Sequence, residues 1–233
     1  MSGIFYGIGV GPGDPELLTI KAVNAIKQVD VLIAPKTEKK DGSVALTAAQ
    51  PYLKENVKII YQVFPMVKDF EKTSSDIWDA NKQVILKLLE EGKNVAFLTI
   101  GDPMLYSTYI YIFQRLKKDG VDIRTIPGIP AFAAIGSMVG HPIVEGDNIL
   151  SIIPATASLE KIKKAIAVSD NVVLMKVAKS LEAMTDLLEK NNMLEQAVLV
   201  SRAGLDNEQI IHDVKAHRKD KLNYLSTILA RRN

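Results

Sequence analysis

Through its first half this chain alternates short apolar runs, rich in β-branched residues, with longer stretches of helical period, and few architectures accommodate that alternation. Strand–helix–strand units in series build a parallel sheet with helices packed on it. The runs predict strands over 3–9, 30–34, 57–61, 94–100 and 122–126, with helices over 19–28, 44–54, 74–91 and 106–119 between them. Segment 76–91 is the clearest helix. It carries Ile77, Trp78, Asn81, Val84, Ile85, Leu88 and Leu89 at steps of three and four, and Gly92 follows as a stop.

Beyond "TIPGIPAF" the pattern changes. A strand is predicted over 148–153, a helix capped by Ser158, a strand from Asn171, a helix over 179–190 and a strand from Gln196. The runs "QIIHDV" and "LSTILARR" read as strands that pair locally, so the second half forms a mixed sheet. Pro127, Pro130 and Pro142 cluster in the stretch between the halves. At 233 residues the chain has room for two domains of roughly 100 residues each, placed here at 1–128 and 129–233. The expectation is two α/β domains, an N-terminal one with a parallel sheet and a C-terminal one with a mixed sheet.

Composition removes several function classes. Hydrophobic residues at 47% and charged residues at 24% fit a folded chain, and no tract is apolar for the roughly 18 residues of a membrane span. The absence of cysteine excludes disulfides, thiolate nucleophiles and cysteine-ligated zinc. His141, His212 and His217 show no metal-ligand spacing, so no protein-bound metal is expected. A net charge of +2 with no long basic block gives no nucleic-acid footprint. "MSGIFYGIGV" reads as a first strand rather than a signal peptide, and a cytoplasmic location is expected. The charged loop at 35–43 reads as a solvated turn or as a flap beside a site.

The chemistry lies in the loops. "GIGVGPGDP" at 7–15 has the glycines of a phosphate cradle, but neither register gives G-x-G-x-x-G: Pro12 or Asp14 stands where the last glycine belongs. A P-loop would need Gly-Lys-Ser/Thr, and the nearest lysine is Lys21. Pro12 and Pro15 also lack amide donors, and Asp14 puts an anion where a phosphate would sit. A second loop, "GDPMLYST" at 101–108, follows the fourth strand, and a third, "PGIPAF" at 127–132, follows the fifth. Turns of this kind at one sheet edge suit an adenosine-type ligand with an amino-acid tail and no phosphates, held through backbone groups.

"VGPGDPELLT" (10–19), "GDPMLYST" (101–108) and "PGIPAF" (127–132), in that order, resemble the tetrapyrrole methylases, the S-adenosylmethionine-dependent enzymes of cobalamin and sirohaem biosynthesis. The resemblance continues through "VVLMK" (172–176), "VSRAG" (200–204) and "YLSTILARR" (224–232). "GDP-x-L-Y-S-T" ahead of an aromatic-rich helix is similar to the branch that methylates C20 of precorrin-2 or its cobalt complex. The resemblance implies the tetrapyrrole methylase fold and a kidney-shaped homodimer, with S-adenosylmethionine in the trough between the two domains. It implies cofactor contacts from Pro12, Ile100, Gly101, Asp102, Leu105, Pro130, Ala131, Met175 and Ala203, with Ser226 and Thr227 at the adenine. Relatives often carry Ser or Thr in place of Pro130 and Gly in place of Ala203, so these two would act through backbone atoms.

Asp102 and Tyr106 are the catalytic candidates. Asp102 either moves a proton or closes its turn by accepting backbone N–H bonds; Tyr106 either faces the substrate or packs in the core. A substrate with eight carboxylate side chains calls for basic residues, and Lys36, Lys39, Lys40, Lys68, Lys72 and Arg202 are the candidates. The residues leave open whether the substrate is metal-free precorrin-2 or its cobalt complex, with the cobalt form favoured by likeness to anaerobic-pathway relatives. The competing readings are a protein methylase of the diphthine-synthase type, opposed by the "YST" continuation, and a non-catalytic binding module, opposed by the intact loops.

Overall fold

The computed structural model describes residues 2–36, 43–64 and 75–232. The chain divides into two compact units, Met1–Pro130 and Ala131–Asn233.

Unit 1 is built from β1 (Phe5–Gly9), α1 (Ile20–Ile26), β2 (Val31–Lys36), α2 (Val44–Ala49), β3 (Lys58–Val63), α3 (Ser75–Glu90), β4 (Val95–Thr99), α4 (Tyr109–Lys118) and β5 (Ile123–Ile126). The strands form one parallel sheet in the order β3-β2-β4-β1-β5. Its two faces are covered by different helices. Tyr6, Ile8, Leu32, Ala96 and Leu98 pack with Ala22 and Ala25 of α1 and Ala45 and Ala48 of α2. Phe5, Val31, Ile33, Val95 and Phe97 pack with Trp78 and Ile85 of α3 and Tyr109 and Ile112 of α4. The inner strands β2, β4 and β1 are buried on both sides, which is why they read as continuous apolar runs, whereas the edge strands β3 and β5 carry exposed residues.

That division of helices fixes where a ligand can enter. β1 and β4 are neighbours, yet the chain leaves β1 toward the α1/α2 face and leaves β4 toward the α3/α4 face. Adjacent strands whose exits diverge leave a crevice at their carboxyl ends, the usual ligand position in open α/β sheets.

Unit 2 contains α5 (Ala131–Met138), β6 (Leu150–Pro154), α6 (Leu159–Ala167), β7 (Asn171–Met175), α7 (Leu181–Lys190), β8 (Val198–Ser201), β9 (Gln209–Ile211) and β10 (Ser226–Arg231). Its sheet is mixed, in the order β6-β7-β10-β8-β9, with β6 and β7 parallel and the other neighbours antiparallel. One face is covered by α6 and α7 through Ile162, Ile166, Met184 and Leu188. Ile135 of α5 packs on the other, against Val173, Val198, Val200 and Leu229.

Several elements differ from the sequence reading. The helix expected over 44–54 ends at Ala49 and gives way to a short 3-10 turn, Gln50–Tyr52, because Pro51 has no N–H to offer the Thr47 carbonyl. α4 begins at Tyr109 rather than at 106, since Tyr106 has φ +50°. Ser158 stands at the N-cap of α6, but its hydroxyl makes no capping bond. α5 has no counterpart in the sequence reading: "AFAAIGSM" is apolar nearly all round and shows no helical face. β10 does not pair locally with β9. Its residues Ser226–Ala230 are buried, and it lies mid-sheet between β7 and β8, while β9 pairs with β8 at the edge. Within α3, Ile77 and Val84 are exposed and Trp78, Ile85, Leu88 and Leu89 supply the buried face.

Candidate active site

The three glycine-containing loops of unit 1 meet through their backbones. The Gly101 amide donates to the Gly11 carbonyl at 2.7 Å, which bridges the loop after β1 to the loop after β4. The loop after β5 is wedged against both: a Cβ on Gly128 would stand 2.2 Å from the Gly101 carbonyl oxygen, and one on Gly9 would stand 2.5 Å from the Gly128 nitrogen. Neither position can carry a side chain without moving a neighbouring strand end. Gly7, further down β1, serves packing instead, because a Cβ there would enter the ring of Tyr109.

Two aspartates hold these loops by the same device. Asp14 Oδ1 accepts the Glu16 amide at 2.8 Å, capping the 3-10 turn Pro15–Leu17, while Thr19 Oγ1 caps α1 by accepting from the Ala22 amide at 3.1 Å. Asp102 Oδ1 accepts the Met104 amide at 2.8 Å, and its Oδ2 reaches across to the Gly128 amide at 3.1 Å. Asp102 therefore closes its own turn and clamps the loop after β5. Tyr106 is exposed, in left-handed conformation at φ +50°. The residue behind it is anchored: the Ser107 hydroxyl, buried, lies 2.8 Å from Thr99 Oγ1 and accepts the Tyr109 amide at 3.1 Å.

Around these contacts stand the unit 1 residues picked out in the sequence. Pro12 is buried, Ile100 packs partly buried on the α1/α2 core, and Leu105 and Pro130 are half-buried. Gly101 has φ +70°, and a Cβ placed on it would meet nothing within 4 Å except Pro130 Cα at 3.9 Å. The Gly101 position thus faces open space bordered by Pro130. All of these lie at the carboxyl ends of β1, β4 and β5.

Unit 2 gathers a second set. Thr227, at the start of β10, pairs with Met175 at the end of β7 and with Val200 of β8, and Ser226 pairs with Ser201. Ser226 Oγ lies 2.9 Å from Ser201 Oγ and 2.6 Å from the Asn223 carbonyl. Ala203 is buried just beyond β8. Met175, Ala203, Ser226 and Thr227 thus share one end of this sheet, whereas Ala131 stands apart as the first residue of α5. Of the basic candidates, Arg202 is half-buried beside Ala203, and Lys39, Lys40, Lys68 and Lys72 lie outside the described residues, as does Lys36 beyond its backbone.

The donors present suit a ligand without phosphates. The Glu16, Met104 and Gly128 amides are already taken by carboxylates of the chain itself. An anion brought to these loops would meet Asp14 and Asp102. A positively charged adenosyl ligand meets no such conflict. Among the described residues no group of three or more His, Asp or Glu side chains is placed to hold a metal ion, and no helix is long and apolar enough to cross a membrane.

The family model described as Tetrapyrrole (Corrin/Porphyrin) Methylases matches residues 5–216. The chain belongs to this family. A cobalt-precorrin-2 C(20)-methyltransferase of Salmonella typhimurium is 34% identical over 98% of this tetrapyrrole methylase and 96% of its own length. A precorrin-2 C(20)-methyltransferase of a Sinorhizobium species is 31% identical over 98% and 97% of the two chains. Among solved structures, a cobalt precorrin-4 methyltransferase superposes with a TM-score of 0.77 at 20% identity, covering 98% of this chain and 94% of that one. A uroporphyrin-III C-methyl transferase of Thermus thermophilus complexed with S-adenyl homocysteine has a TM-score of 0.70, also at 20% identity, with 97% of each chain covered. These two likenesses bear out the two-unit α/β architecture.

Sequence reasoning missed Gly128, whose role is steric and appears only when the three loops are superimposed in space. It also missed Ser107 and Thr99, whose hydroxyl pair spans eight residues of chain, and Lys176, treated below. A lysine directly after the apolar run "NVVLM" was the one available signal.

Proposed function

We propose that this tetrapyrrole methylase transfers the methyl group of S-adenosylmethionine to C20 of cobalt-precorrin-2 in cobalamin biosynthesis. The observation that carries the reading is the 34% identity, along nearly the whole length of both chains, to a relative bearing that activity in its name. Metal-free precorrin-2 is the second reading, supported by the 31% identical relative named for it. Family membership makes the chain an S-adenosylmethionine-dependent methyltransferase; the ring it methylates, a homodimeric state and a cytoplasmic location are parts of the proposal.

When bound, S-adenosylmethionine would supply a methyl on a sulfonium sulfur: as the electron-rich ring carbon takes the methyl the S–CH3 bond breaks, S-adenosylhomocysteine leaves, and the ring carbon gives up its proton to solvent. The residues of the chain supply position. Pro12, Ile100, Gly101, Asp102, Leu105 and Pro130 from unit 1, with Ala131, Met175, Ala203, Ser226 and Thr227 from unit 2, are proposed to contact the cofactor. The backbone clamp at Asp102 keeps the Gly101 and Gly128 turns rigid, so alignment costs little at the moment of reaction. This geometry supports a positioning role for Asp102 over proton transfer, and it leaves the Tyr106 side chain exposed four residues further along the chain.

The test is incubation with labelled S-adenosylmethionine and either cobalt-loaded or metal-free precorrin-2, with the product read by mass. Methylation of the cobalt form is expected to be faster. If neither form gains a methyl, the proposal fails.

A further inference from the structure

Five non-glycine residues among those described have positive φ: Tyr106, Lys176, Asn192, Arg202 and Asn207. The two asparagines need no special account, because their short polar side chains tolerate the left-handed region. The other three each adjoin a residue proposed to hold the cofactor: Tyr106 follows Leu105, Lys176 follows Met175, and Arg202 precedes Ala203. Strained conformations of this kind persist where surrounding structure enforces them, and they concentrate at functional sites.

Two of the three are cations in the same sheet. Lys176, at φ 62° and ψ 37°, leaves the end of β7, and the fully buried Val177 follows it. Arg202, at φ 59°, leaves the end of β8. β10 lies between those strands, with Thr227 facing Met175 on one side and Val200 on the other. The Arg202 amide donates to the Leu225 carbonyl at 2.7 Å, which places Arg202 against the chain entering β10. Neighbouring strands are about 4.8 Å apart, so the backbones of the two cations stand on the order of 10 Å apart across that entry.

We infer that Lys176 and Arg202 form a carboxylate clamp at the entry to β10, a subsite for two acid side chains of one polycarboxylate ring. The identity of the ring rests on the function proposed above, whereas the clamp rests on the sheet geometry. Arg202 Nε donates to the Asp206 carbonyl at 2.7 Å, which fixes the guanidinium plane as bidentate carboxylate recognition requires. Lys176 is half-buried, and that burial pushes its ammonium pKa down. A carboxylate brought against a partly desolvated ammonium gains more than it would at an open surface. The left-handed turns hold both residues at the strand ends, where a fully extended chain would carry them on along the sheet.

Carboxylates could come from the ring or from the amino-acid tail of the methyl donor, and binding measurements on the full chain separate the two. Uroporphyrin, a fluorescent octacarboxylate porphyrin, is titrated without methyl donor, and S-adenosylhomocysteine is titrated by calorimetry. Lys176→Met and Arg202→Gln are each expected to weaken porphyrin binding about tenfold, the loss typical of one charged hydrogen bond, with Lys176→Arg retaining most of it. Affinity for S-adenosylhomocysteine is expected to stay within about twofold of wild type. Lys176→Gly relieves the positive φ, so its unfolding midpoint should rise or hold while porphyrin binding falls; this separates a lost contact from a lost fold. A wild-type chain that ignores the porphyrin, variants that bind it as wild type does, or losses confined to S-adenosylhomocysteine would each overturn the clamp. No methyl transfer enters these titrations, so failure of the proposed reaction and failure of the clamp are read separately.

Discussion

The two units shape their strand ends by opposite means. In unit 1 the left-handed turns at Gly11 and Gly101 are glycines, and Gly9, Gly101 and Gly128 let three loops touch backbone to backbone. In unit 2 the left-handed positions after β7 and β8 are Lys176 and Arg202, which carry long charged side chains. One end thus presents main-chain groups in fixed directions and the other presents cations. Glycine gives close approach at the expense of chemistry; a strained lysine or arginine gives chemistry at the expense of conformational energy.

The largest test of this contrast is Gly128→Ala. With the new Cβ 2.2 Å from a backbone oxygen, roughly 3 kcal/mol or more of stability should be lost, read as a lower urea midpoint. A midpoint within error of wild type would mean that the loops are not locked together. Asp102→Ala comes next. It releases the Met104 and Gly128 amides, and about 1–3 kcal/mol should go with them. Asp102→Asn, which keeps one acceptor oxygen, should lose less; if it instead retains full stability and cofactor affinity while turnover collapses, Asp102 moves a proton and the clamp account is wrong.

Gly101→Ala separates shape from stability. Its Cβ has room, so only the left-handed backbone is penalised, by about 1 kcal/mol. Calorimetry should show S-adenosylhomocysteine affinity falling far more than that, because the methyl enters the space bordered by Pro130. Equal small losses in both would remove Gly101 from the cofactor wall.

The smallest effect concerns pH and falls on unit 2, which holds all three histidines. Burial, and then the nearby Arg231 charge, hold the His141 pKa below its ordinary 6.5. The folded state therefore favours the neutral ring. Its contribution to stability is present above about pH 6.5 and is lost as pH falls toward the lowered folded value. His141→Asn should flatten that decline below about pH 6.5, by well under 1 kcal/mol because the ring is partly solvated. Fluorescence of Trp78, the single tryptophan and buried in unit 1, supplies the contrasting probe.

Much of the fold was legible because burial on both faces writes a parallel strand as a continuous apolar run, as in β1, β2 and β4, while the edge strands β3 and β5 showed through their β-branched residues between helical stretches. α5 was not, since a nearly all-apolar helix shows no face. The position of β10 was not either, because strand order depends on which neighbour buries "STILA" best, and that neighbour is about fifty residues away in β7. The loops declared themselves by their glycines, prolines and aspartates, and the structure shows Asp14 and Asp102 occupying the Glu16, Met104 and Gly128 amides there.

The sequence by itself determined the class of fold, the family and the three loops, because periodicity and turn chemistry are local and act through near neighbours. Only the tertiary structure decided which amides Asp102 holds, why Gly128 admits no side chain, and that Lys176 and Arg202 flank one strand. Each of those depends on atoms brought together from distant parts of the chain, and no local pattern records that distance.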